Sequence, residues 1–190
     1  MKSLNFMFDK PKHGWTTFNL EKYKGSNSFL SNLPRKIVRA SYIGPLASSM
    51  FKVLIDHFSA GTSSQSFTYF NAEGWFWGLG ITAYGPAIML DTDTAYGPII
   101  SDIDTDTDTD EDNTPSFLIY LLECSEKQFA EDWLECWTAY KDEWVKWTIC
   151  EYGEDELDGI KSSIFQTRLE QLEAQEYLLK TLLEKRYGGK

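Results

Sequence analysis

Ser66-Phe-Thr-Tyr-Phe70 and Trp75-Phe-Trp-Gly-Leu-Gly-Ile81, joined by Asn71-Ala-Glu-Gly74, decide the fold class of this chain. Both runs are rich in aromatic and β-branched residues, and the joining residues include Asn and Gly, the types that turns demand. Two such runs with so short a connection predict a β-hairpin. Side chains alternate along a strand, so Trp75, Trp77, Leu79 and Ile81 share one face, with Gly78 and Gly80 opposite. Glycine inside a strand marks the close approach of another backbone, or a bulge.

Working outward, the same signal recurs. Asn5-Phe-Met-Phe8 and Trp15-Thr-Thr-Phe-Asn-Leu20 flank a turn punctuated by Pro11 and Gly14, an N-terminal hairpin. Thr16, Phe18 and Leu20 form its core face; Trp15, Thr17 and Asn19 face away. Lys36 to Tyr42 reads as a strand, and Pro45 opens a helix over Leu46 to Phe58 with Leu46, Met50, Val53, Leu54 and Phe58 on one stripe. Ser116 to Leu122 is nearly all apolar, which suits a central strand buried on both faces. Ser125-Glu-Lys-Gln128 has the form of a capping box for a helix running to about Trp147. Phe129, Trp133, Trp137, Tyr140, Trp144 and Trp147 make its aromatic stripe, with Glu131, Asp132, Glu135 and Lys141 off it. A last amphipathic helix, at about residues 157–187, carries Ile160, Ile164, Leu169, Leu172, Leu178, Leu179, Leu182 and Leu183, with Glu173, Tyr177 and Lys180 on an exposed flank. Gly188-Gly189 ends it. Hairpins dominate over βαβ units, so the expected class is α+β: an antiparallel or mixed sheet built from hairpins, with amphipathic helices packed on one face.

The 190 residues, 42% hydrophobic and 15% aromatic, suffice for a single domain over 1–190 with a substantial core. Their charge is uneven. Residues 61–115 hold ten acids and no Lys or Arg, whereas residues 1–60 hold nine bases and three acids, and the whole chain is −11. The acids concentrate in Asp102-Ile-Asp-Thr-Asp-Thr-Asp-Thr-Asp-Glu-Asp112. A block of like charge stays solvated and attracts a cationic partner, whereas nucleic acid, with its own negative phosphates, is repelled. Thr82-Ala-Tyr-Gly-Pro86 recurs as Thr94-Ala-Tyr-Gly-Pro98, each leading into an Asp-Thr tract. That pattern predicts a duplicated and expanded surface-loop insertion at about 82–115. The residues expected to meet a partner are Asp102, Asp104, Asp106, Asp108, Asp110, Glu111 and Asp112. No stretch is apolar enough to span a membrane. Met1-Lys-Ser-Leu-Asn5, followed by Asp9, Lys10 and Lys12, lacks the apolar core of a signal peptide, so the expected location is the cytoplasm.

Catalytic and metal motifs are missing from the sequence. GxSxG, HExxH, the P-loop and GxGxxG do not occur, and no cofactor, catalytic residue or metal site is expected. Of the two histidines, His13 sits in the first turn and His57 beside Asp56. Adjacent helix residues diverge, so His57 reads as a surface histidine near a helix C-terminus. An enzyme would have to assemble His13, His57, Glu73 and Asp56, which nothing in the spacing does. The alternating Asp residues mimic the first ligands of a calcium loop. From Asp102, however, Thr107 stands where Gly is needed and Asn113 where the bidentate Glu is needed. Cys124, Cys136 and Cys150 lie among apolar neighbours with no CxxC pair and read as buried thiols.

Phe8-Asp-Lys-Pro-Lys-His-Gly-Trp15 resembles the N-terminal hairpin turn of a loose set of small bacterial proteins encoded beside polymorphic and contact-dependent growth-inhibition toxins. Ser41-Tyr-Ile-Gly-Pro45 leading into a helix, the aromatic strands of Phe67 to Ile81, and the strand and helix of Phe117 to Tyr140 are similar too. The likeness covers about half the chain and leaves out the Asp-Thr tract and the C-terminal helix. It implies an immunity protein, a non-enzymatic inhibitor that binds a cognate toxin domain and blocks its active site; the acidic charge, in turn, suits a basic, nuclease-type toxin. Such families share folds but not partner surfaces, so no functional residue carries over. The alternative is an acidic protein-binding or calcium-binding module.

Overall fold

The computed structural model describes residues 6–12, 15–23, 38–41, 45–60, 65–71, 76–91, 117–147 and 158–189. The chain is an α+β protein in which every described strand pairing is antiparallel. The N-terminal hairpin forms as expected: Phe8 bridges Phe18, Asp9 N–H donates to Thr17 O, and Lys12 and Trp15 exchange both backbone bonds. Its second arm, β1 (Trp15–Thr17), pairs with β2 (Arg39–Ser41). Thr16, Phe18 and Leu20 are buried, the face that alternation selected.

Helix α1 (Leu46–Ala60) buries Leu46, Met50, Val53, Leu54 and Phe58. Beyond it, β3 (Ser66–Asn71), β4 (Phe76–Thr82), β5 (Gly85–Asp91) and β6 (Phe117–Leu121) form a simple meander in that order. The hairpin of β3 and β4 pairs Phe70 with Trp77 and Phe67 with Gly80. Its glycines sit where a neighbouring backbone comes too close for a side chain. A Cβ at Gly80 would run into Ser66 O, and one at Gly78 would lie 2.8 Å from Thr68 O.

Residues 82–91, expected to lie within the surface-loop insertion at about 82–115, are instead a turn and a strand. Thr82 and Gly85 pair across a two-residue loop, in which Thr82 Oγ1 accepts from Tyr84 N–H (3.1 Å) and donates to Gly85 O (3.0 Å). Gly85 takes a φ of 125°, a conformation that favours glycine. The apolar residues after it then form β5, an interior strand. A hydroxyl that closes a tight turn, followed by an unbroken apolar run, makes a hairpin of the first repeat copy. The second copy, residues 94–98, lies outside the described residues. So do Asp102 to Asp112.

The helices cover one face of this sheet. Helix α2 (Glu126–Ala139) begins at Ser125, whose Oγ accepts from Gln128 N–H (3.1 Å). The capping box is only half made, because the Gln128 side chain donates instead to Asp132 Oδ1 (2.9 Å). The expected single helix to Trp147 is broken at Tyr140, and α3 (Lys141–Trp147) follows. Packing explains the break. Eleven residues along a straight helix would hold Trp133 and Trp144 about 16 Å apart, yet their ring centroids are 5.6 Å apart. The bend folds the stripe onto itself around Phe8, which lies edge-on to Trp133, Trp144 and Phe70 at 5.9–6.3 Å. Helix α4 (Asp158–Tyr187) lies against α1 and α3, burying Leu172, Leu179 and Leu183; Leu178, expected on its apolar stripe, is exposed.

Candidate functional site

Three clusters of polar groups are built into the interior, and each is consumed by holding elements together. Asp132, expected off the buried stripe, is only 3% exposed. It accepts from Lys22 Nζ (2.7 Å), Tyr23 Oη (2.7 Å) and Gln128 Nε2, tying the 3₁₀ turn at Leu20–Lys22 to α2. Burial, and next the bond to Asp132, push the Tyr23 hydroxyl well above its ordinary range. Burial likewise lifts the Cys124 and Cys136 thiols to about 12, so both stay protonated and unreactive at neutral pH.

In the second cluster, Glu176 on α4 accepts from Trp137 Nε1 (2.7 Å), Lys180 Nζ (2.6 Å) and Lys141 Nζ (3.1 Å). Burial opposes its ionisation, but the hydrogen bonds from Lys180, Trp137 and Lys141 outweigh it and hold the carboxyl down to about 2. The third cluster corrects the reading of His57. That side chain is fully buried, its Nε2 3.2 Å from Glu126 Oε2, and the same oxygen accepts from Arg186 (3.1 Å). Met50, Val53, Leu54 and His57 step by three and four, so position 57 belongs to the buried stripe. Asp56, beside it in sequence, points outward to Lys52 (2.9 Å). His13 and Glu73 lie outside the described residues.

The aromatic stripe is core. Phe129, Trp133, Trp137 and Trp144 are all buried. The other side of the sheet faces away from the described helices. Register places Phe67, Gly80, Ala87 and Leu121 in one cross-strand row and Tyr69, Gly78, Met89 and Ile119 in the next. These eight residues include no charged side chain. Tyr69 is 55% exposed, Ile119 49% and Leu121 48%, while Gly78, Gly80, Ala87 and Met89 form a closed floor between them. Strand β6, expected as a central strand buried on both faces, is instead outermost in the described sheet. Its unbroken apolar run reflects two apolar faces, only one of them under helices.

The acids of residues 61–115 are anchored at one end of this sheet. At that end Asn71 pairs with Phe76 and Asp91 with Phe117. The connection holding Glu73 joins the first two of these strand ends. The connection holding Asp93 and Asp102–Asp112 leaves and re-enters at the other two. That convergence follows from the meander and is not visible along the sequence. The seven residues expected to meet a partner are themselves outside the described residues. Comparison with protein-family models, with curated proteins and with solved structures found no match. Among the described residues no helix is long and apolar enough to cross a membrane.

Proposed function

We propose that this chain acts by binding another protein in the cytoplasm, as an immunity protein that neutralises a basic, nuclease-type toxin domain. The observation that carries this reading is the gathering of nine acids, with no Lys or Arg among them, on connections anchored at one end of a four-stranded sheet. A surface of one sign steers a partner of the opposite sign and speeds its association. A nuclease must be cationic where it meets phosphate, which makes it a fitting target, whereas nucleic acid itself would be repelled. The interior polar groups support binding over catalysis, since Asp132, Glu176 and Glu126 are each engaged by the cations and donors beside them.

The test is a binding measurement with the toxin domain encoded by the neighbouring gene. A one-to-one complex is expected, with association slowing markedly between about 50 and 500 mM salt as the Debye length falls below about 10 Å. Replacing Asp104, Asp106, Asp108, Asp110 and Asp112 with Asn should flatten that salt dependence and leave thermal stability unchanged or slightly raised. A salt-independent on-rate would remove the electrostatic steering. No complex at all would end the immunity reading.

A further inference from the structure

The chain carries −11, yet not every cation in it has found an acid. Lys10, Lys22, Lys52, Lys141 and Arg186 each hold a carboxylate. Lys12 and Arg39, both exposed, meet none within ion-pair distance among the described residues. The two lie on one surface. Lys12 and Trp15 exchange both backbone bonds across the N-terminal turn, and Thr17 stands opposite Arg39 in the pairing of β1 with β2. Directly opposed residues of an antiparallel pair project to the same side. Lys12, Trp15, Thr17 and Arg39 therefore share the face that turns away from the buried Thr16, Phe18 and Ala40. Strand β1 is the middle of the three paired segments, so its indole has a cation on each neighbouring segment. The Arg39 guanidinium lies over the Trp15 ring, 4.3 Å from its centroid. Asp9, whose N–H bonds Thr17 O, is the acid nearest in register, and Arg39 stacks on the indole without pairing with it.

A guanidinium held by its face on an aromatic ring keeps the N–H groups of its edge free for an acceptor, and it has less freedom to lose on binding. Such a fork recognises planar oxyanions through two parallel hydrogen bonds. We infer that this face is a binding site for a carboxylate of the protein partner, taken by the Arg39 fork and the Lys12 ammonium beside Trp15. The inference rests on the immunity reading and names one contact within it. Phosphate has a matching geometry, but a chain of −11 repels a strand of phosphates. A cationic protein that bears an isolated acid is instead attracted at long range and held here at short range. The contact runs against the polarity of the rest of the pairing, with the acid on the partner and the base on this chain. A contact of reversed sign admits one orientation, and it rejects a basic protein that presents Lys or Arg at that place. It supplies the specificity that general attraction between an acidic and a basic protein lacks.

Two measurements on the full chain test this. In the first, the isotope-labelled chain is titrated with acetate while the Arg39 Nε–H and Trp15 Nε1–H resonances are followed. Both should shift saturably. Lys12→Gln combined with Arg39→Gln should abolish the Trp15 shift and keep the thermal midpoint, since both side chains are exposed. No saturable shift in the wild-type chain, or an equal Trp15 shift in the double variant, overturns the site. Inorganic phosphate moving these resonances at lower concentration than acetate overturns the carboxylate as ligand. In the second measurement the probe is the purified toxin domain of the neighbouring gene. Arg39→Glu should dissociate roughly 30-fold faster, as loss of a paired interfacial charge does, while association holds or quickens because the chain has become more acidic. Arg39→Lys keeps the charge and loses the fork, and should fall between the two. Unchanged dissociation in Arg39→Glu overturns the contact and leaves the immunity reading standing. No complex with the wild-type chain ends the immunity reading and this partner with it, and the acetate titration still decides the site.

Discussion

The two faces of the four-stranded sheet are both apolar, yet they are built from different side chains. Inward, Thr68-Leu79-Ile88-Tyr120 and Phe70-Trp77-Leu90-Leu118 make the cross-strand rows, and outward Phe67-Gly80-Ala87-Leu121 and Tyr69-Gly78-Met89-Ile119 make theirs. The inner rows keep bulk in the middle of the sheet, where Trp77 meets Phe70 at 4.6 Å and Phe18 at 6.0 Å. The outer rows are empty in the middle, with glycine and alanine, and carry bulk at the two borders. A face shaped to receive helices fills its centre. The inner face should therefore govern stability, and the bordering side chains of the outer face should add little to it.

The largest expected effect comes from the inner side. Trp133, fully buried between Phe51, Phe8 and Trp144, should cost about 3–5 kcal/mol on replacement by alanine, measured by denaturant unfolding. Trp133→Phe should cost much less. It keeps the ring and removes an indole N–H that has no acceptor among the described residues. Near-wild-type stability in Trp133→Ala would mean that the helix layer is not what the inner face holds.

Next is the pH dependence of the joint between α2, α3 and α4. The folded-state pKa of Glu176 lies below its ordinary value of 4.5, at about 2. Its stabilisation is therefore complete above about pH 4.5 and is lost as pH falls towards 2. Discounted for solvent screening, this is on the order of 2 kcal/mol. Glu176→Gln should be less stable at neutral pH and should lose less between pH 5 and 2, which acid titration followed by circular dichroism would read. An unchanged acid profile would show that Lys141 and Lys180 do not hold this carboxylate.

On the sheet itself, Gly80→Ala should cost roughly 1–3 kcal/mol, because the added methyl meets Ser66 O and the Phe67 ring and one strand must shift. Smallest of all, Ile119→Ser should change stability by no more than about 0.5 kcal/mol. A large loss there would place Ile119 in a core and erase the distinction between the faces.

Most of the architecture is legible in the sequence, because period-2 and period-3.6 patterns are local. Alternation picks out Thr16, Phe18 and Leu20, and the stripe of α1 and both ends of α4 follow from spacing and from Gly188. What local patterns hide is where elements end up relative to one another. The bend at Tyr140 has no Gly or Pro to announce it; it exists because Trp144 packs on Trp133. Asp132 looks like a solvated helix acid until Lys22 and Tyr23 arrive from more than a hundred residues away. The repeat at residues 82–86 hides a turn and a strand behind the look of an expanded loop. The anchoring of the acidic connections at one end of the sheet is a property of the meander alone, and the outer face was unreadable because an apolar run does not say which side the helices take. His57 is the exception: its spacing from Met50, Val53 and Leu54 was there to be read.

Denaturant unfolding of Trp133→Ala and Ile119→Ser, side by side in the full chain, tests the division between the two faces most directly. The first should lose about 3–5 kcal/mol and the second no more than about 0.5 kcal/mol. Equal losses in the two variants would contradict the account.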